Sequence, residues 1–176
     1  MNLKKIIRRA YGSLAMQINQ LTSKRTVMDL SAFYDTPVMT KCHHIVSALR
    51  YAAVEEHYGQ NDFGKALYVK ANHFDDSAAL QADSDRFDTL INSIETKGYD
   101  MRSAIHVDLD GNCFNGTHRL ALCVWFETEK VPVFVIKRHL KHPSVQDMRA
   151  YYRLSDQDYH RLEQTYQRMR ERVQRN

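Results

Sequence analysis

Residues 103–137 read SAIHVDLDGNCFNGTHRLALCVWFETEKVPVFVIK. Ser103 to Leu109 alternates like a half-buried strand, Asp110-Gly111 is a turn signal, and Asn112 to Phe114 starts a short return strand. Asn115-Gly116-Thr117-His118-Arg119 then leads into an apolar helix over Leu120 to Thr128, and Val131 to Lys137, rich in β-branched residues, reads as a further strand. Strand, hairpin, helix and strand within so short a stretch predict an α+β or mixed α/β fold.

The turn that opens the helix carries the chemistry. Gly116 lets backbone approach a ligand closely, Thr117 offers a hydroxyl, and the free N–H groups of a first helical turn attract anions. Arg119 adds a planar fork suited to phosphate oxygens and His118 a second donor. Asn115 through Arg119 therefore form a candidate phosphate cradle, with Arg119 expected to be an exposed ligand whose removal leaves the fold intact.

Upstream, Asp85 to Thr96 is helical, with Phe87, Leu90, Ile91 and Ile94 inward and Lys97-Gly98 ending it. Ala66 to Ala71 reads as a strand, and Asn72 to Asp85 as an acidic loop or short helix. A helix from about Thr40 to Tyr58 carries Cys42, His43 and His44. Adjacent helical residues point about 100° apart, so the two histidines are poorly placed to share one metal ion. Asp62-Phe63-Gly64 copies a kinase metal-binding tripeptide, but no glycine-rich loop or His-Arg-Asp loop accompanies it, and it reads as chance.

In order and spacing, residues 66–137, about 40% of the chain, resemble the ParB/sulfiredoxin superfamily. The resemblance rests on a leading strand, the helix Phe87 to Ile94, Gly98, the strand Ala104-Ile105-His106-Val107, the Asp110-Gly111 hairpin, the Gly116-Thr117-His118-Arg119 box and Val131-Pro132-Val133-Phe134-Val135. It implies a nucleotide-binding core whose phosphates are held by the box and by residues spaced i, i+3, i+7 on the preceding helix, here Arg86, Thr89 and Ser93. Thr117 stands where sulfiredoxins carry their cysteine, so the thiol of that chemistry is missing. ParB proteins carry a Gly-Glu-Arg-Arg box and a helix-turn-helix, neither of which is evident.

The branch that remains resembles the free-serine kinases, whose box is Asp-Gly-His-His-Arg, with Asn115 here in place of the aspartate. That likeness implies an ATP-dependent kinase, or phosphotransferase, acting with Mg2+ on a hydroxyl of a small molecule or glycan sugar. It gives Asp75 and Asp76 as catalytic carboxylates, with His118 beside them. Asp108 and Asp110, flanking the hairpin turn, are second choices and the candidate Mg2+ ligands. The alternative is a nucleotide-gated switch that binds CTP or ATP without an acceptor. A ParB-like nuclease ranks below both.

Composition agrees with a folded soluble protein: 176 residues, 43% hydrophobic and 26% charged. Residues 1–25 carry six basic and no acidic side chains, whereas residues 26–138 carry eleven basic and sixteen acidic. An acidic body argues against nucleic acid as partner. Three cysteines without a C-x-x-C pair suit a reducing cytoplasm. Residues 3–21 form a basic amphipathic pattern that packs on its own domain or suits the inner membrane face as a peripheral contact. The reading divides the chain into an N-terminal helical region (1–60), the core (61–140) and a C-terminal helical extension (141–176). Tyr151, Tyr152, Leu154, Tyr159, Leu162, Tyr166 and Met169 in that extension either pack on the core or make a homodimer.

Overall fold

The computed structural model describes residues 24–72 and 77–175. The basic pattern at 3–21 and the candidate carboxylates Asp75 and Asp76 lie outside the described residues. Among the described residues the fold is α+β, with six α-helices and one mixed sheet of four strands.

The sheet is built around the apolar strand β4 (Lys130–Val135), which pairs antiparallel with β1 (Lys24–Asp29) and parallel with β2 (Ile105–Val107). Strand β3 (Cys113–Asn115) closes the order β1-β4-β2-β3 as the antiparallel partner of β2. The predicted hairpin is present, but β2 is buried on both faces rather than half-buried, with His106 as covered as Ile105 and Val107. Strand β1 falls in the stretch 22–40 that reads from sequence as a connector. It is an edge strand with only Thr26 and Met28 partly covered, and so lacks the apolar run that announces a strand.

One helix organises the layer beside the sheet. Helix α1 (Cys42–His57) packs against α2 (Gly64–Asn72), α4 (Thr117–Trp125) and α6 (Asp156–Gln174). The segment expected to be a leading strand is helix α2. Gly64, Leu67, Tyr68 and Ala71 are buried while Ala66 and Val69 are exposed, a period of 3.6 rather than 2. Gly64 has to be glycine, because a Cβ there would stand 1.9 Å from the Ala52 carbonyl oxygen of α1. The Asp62-Phe63-Gly64 tripeptide is accordingly a packing device: Asn61 Oδ1 accepts from the N–H groups of Phe63 and Gly64 at 3.1 and 3.0 Å and starts the helix.

Helix α3 (Ser77–Lys97) is longer than its apolar pattern suggests, extending through most of the acidic stretch. Helices α5 (Val145–Tyr151) and α6 are each started by a serine, Ser144 and Ser155, whose hydroxyl accepts from the backbone N–H three residues on. The stripe Leu162, Thr165, Tyr166, Met169 and Val173 of α6 is buried on the same chain, in an apolar core that draws on all three stretches of the sequence. Glu55, 2% exposed on α1, accepts two 2.7 Å bonds from Arg168 of α6. No helix among the described residues is long and apolar enough to cross a membrane.

Candidate functional site

The first turn of α4 begins where β3 ends. Gly116 sits at φ 98°, a left-handed conformation open to glycine, and its carbonyl accepts the first helical bond from Leu120 N–H at 2.8 Å. A Cβ on Gly116 would stand 3.3 Å from Ile105 Cα and 3.2 Å from Arg119 Nη2, so the turn lies hard against β2. The backbone N–H groups of the residues that follow have no carbonyl to bond within the helix.

These residues form one wall of a cavity of about 450 Å³. Asn115, Gly116, Thr117, His118 and Arg119 line it from β3 and α4, Arg50 from α1, and Asp83, Arg86, Phe87 and Leu90 from α3, with Phe114 completing the apolar side. Its volume suits a small organic ligand. Three arginines and one carboxylate give it a positive balance, and Phe87, Leu90 and Phe114 give it an apolar face.

The box residues divide into two kinds. Arg119 is half-buried, and its Nη1 donates to Ser103 Oγ at 2.8 Å and to the Ala104 carbonyl at 2.9 Å. It clamps the start of α4 to the entry of β2 rather than projecting as the exposed ligand expected from sequence. His118 is the centre of a hydrogen-bonded chain. Its Nε2 lies 2.9 Å from the Tyr68 hydroxyl, which itself donates to Asp83 Oδ2, while Arg50 Nε points at His118 Nδ1 over 3.5 Å.

One proton arrangement satisfies every link. Arg50 donates to Nδ1, His118 Nε2–H donates to the tyrosine oxygen, and the tyrosine O–H donates to the carboxylate. Burial, with Arg50 and Arg119 nearby, holds His118 down to about 3, so the ring is neutral as the chain requires. Burial and the bond to Asp83 push the Tyr68 phenol up, keeping its proton on oxygen. His118 therefore positions Tyr68 and Arg50, and both of its nitrogens are engaged.

On α3, Arg86 reaches the cavity, but Thr89 and Ser93 do not line it; Thr89 Oγ1 instead donates to its own helix at Asp85 O, 2.7 Å away. The buried stripe Phe87, Ile91 and Ile94 fixes the rotation of the helix, which turns 83, 86, 87 and 90 toward the cavity and leaves 89 and 93 exposed. Counting from that stripe, rather than from Arg86 alone, finds Asp83 in the sequence. Arg50 had no such signal, because α1 meets the box only in three dimensions.

The expected metal ligands are elsewhere. Asp108 is buried, and its carboxylate accepts from the N–H groups of Asp110, Asn112 and Leu140 and from His142 Nε2 at 2.7 Å. Burial pushes this carboxyl up, but the bonds from Asn112, His142 and Leu140 outweigh it and hold the group below the usual range. Asp110 pairs with His139 at the surface. No three His, Cys, Asp or Glu side chains among the described residues gather to hold a metal. The His43 and His44 rings both meet the Phe33 carbonyl, at 3.3 and 3.1 Å, and burial keeps them neutral, down to about 3 and about 4.

Comparison of the chain with family models, curated proteins and solved structures returned no match.

Proposed function

We propose that the protein binds a nucleoside triphosphate in this cavity and transfers a phosphoryl group to a hydroxyl of a small molecule or glycan sugar. The observation that carries the reading is the convergence of Arg50 and Arg86 with the first turn of α4, Thr117 included, on one cavity. Arg50 comes from an element outside the stretch on which the family resemblance rests, so it supports a phosphate site independently. The apolar face of Phe87, Leu90 and Phe114 suits a nucleoside beside those phosphates.

Phosphoryl transfer needs positioning and charge neutralisation above all. Arg50, Arg86 and the α4 turn neutralise the phosphates, Arg119 fixes the turn, and Asp83 is the carboxylate on the wall able to orient an acceptor hydroxyl. The residues present do not form a ready Mg2+ site, since Asp83 is one carboxylate with an oxygen engaged by Tyr68. A divalent ion would have to arrive with the phosphates.

The test is titration with ATP, ADP, CTP and GTP, with and without Mg2+, followed by ADP or CDP release in the presence of sugars and amino alcohols. Micromolar binding followed by acceptor-dependent release is the expected result. Binding of a triphosphate with no phosphoryl loss to any acceptor supports the nucleotide-gated switch, and absence of binding overturns both.

A further inference from the structure

Apart from the cavity, three side chains remote in sequence meet in a line. Cys42, the first residue of α1, places Sγ 3.5 Å from His142 Nδ1, and Nε2 of the same ring lies 2.7 Å from Asp108 Oδ2. The backbone bonds that Asp108 accepts hold it as a carboxylate, which accepts only, so His142 Nε2 carries the proton of that bond and Nδ1 is the ring nitrogen facing the thiol. Nucleophile, base and orienting acid thus stand in hydrogen-bonded sequence.

The surroundings keep the Cys42 thiol protonated at rest. Burial pushes the Cys42 thiol up, the His43 N–H at the start of α1 pulls it back, and the Asp108 charge pushes it up again. Those N–H groups face sulfur, where negative charge develops once His142 takes the proton. Cys42 is 9% exposed and the His142 side chain 17%, so the pair lies just beneath the surface. Cys113 and Cys123 are buried more deeply, the Cys113 thiol donates to the Asn115 carbonyl rather than to an imidazole, and burial pushes both thiols up to about 12.

We propose that Cys42 is a modification site, a base-activated thiol that small hydroperoxides oxidise to a sulfenic acid, with His142 as proton acceptor and Asp108 holding the ring. His142 Nδ1 removes the S–H proton, and sulfur attacks the terminal oxygen of the hydroperoxide. The S–O bond forms as the O–O bond breaks, and His142 returns the proton to the departing oxygen. Sulfur is oxidised by two electrons, and the peroxide is reduced to water or an alcohol.

The experiment exposes the full chain to hydrogen peroxide at neutral pH with dimedone as sulfenic-acid trap, and reads adducts by peptide mass. One adduct at Cys42 is expected, with Cys113 and Cys123 unmodified in the folded protein. His142→Ala is expected to slow trapping about a hundredfold, and free imidazole to restore part of the rate, which loss of structure alone would not allow. An unchanged rate in His142→Ala, or no Cys42 adduct in the wild-type protein, overturns the proposal. Should His142→Ala fail to melt cooperatively, the wild-type adduct pattern decides, and equal labelling of all three cysteines counts against it.

Discussion

Gly116 shows how one residue sets the site. Its φ of 98° and the 3.2–3.3 Å clearance to Arg119 and Ile105 mean that Gly116→Ala meets backbone strain and a tight contact that the neighbours must yield to. The substitution is expected to destabilise the protein by about 1–3 kcal/mol in urea unfolding and to weaken nucleotide binding with it. Arg119→Ala removes two donors from Ser103 and Ala104, and a loss of about 1–2 kcal/mol is expected. A variant as stable as wild type would show that the clamp is dispensable. The Gly-Thr-His-Arg box was thus legible in the sequence as a special turn, while the division of labour inside it was not. Spacing alone does not say that the arginine faces a carbonyl of its own chain, or that both histidine nitrogens already have partners.

At the scale of elements, the hairpin, α1, α4 and β4 follow from periodicity and turn residues, because their apolar faces are wide and their ends marked. Helix α2 reads as a strand from sequence because Ala-Leu-Tyr-Val-Lys-Ala offers four apolar residues in a row, and the buried set 64, 67, 68 and 71 emerges only once Gly64 is seen against Ala52. The short edge strand β1 had no apolar run to announce it. The contact between α1 and α6 is similarly tertiary. Arg168→Ala leaves the Glu55 carboxylate buried with Asn61 as its remaining partner, 3.1 Å away. A loss of about 2 kcal/mol is expected, with Glu55→Gln milder because it removes the charge instead of stranding it. Equal midpoints for the two variants in urea would contradict this ordering.

For the whole molecule, three histidines kept neutral by burial link stability to pH. His43 and His118 are held down to about 3 and His44 to about 4, against an unfolded value of 6.5. Below pH 6.5 the unfolded chain binds protons that the folded chain refuses, so stability falls as the solution is acidified toward pH 4 and is fully present above the unfolded value. Each group contributes a slope of about 1.4 kcal/mol per pH unit. The depressed Asp108 carboxyl acts in the same direction at still lower pH. Urea midpoints that stay level between pH 7.5 and pH 5 would contradict the buried, neutral state of these rings. If the proposed triphosphate binds, it offsets part of this loss, since a ligand at a hundred times its dissociation constant adds about 2.7 kcal/mol.

The central claim is that the cavity holds phosphates through its arginines. The most direct measurement is a calorimetric titration of wild type and Arg86→Gln with ATP, because Arg86 is exposed and its loss leaves the core intact. Micromolar binding in the wild type, weakened about tenfold to a hundredfold in the variant, is the predicted result. Equal affinity in the two proteins, or no heat of binding in either, would contradict it.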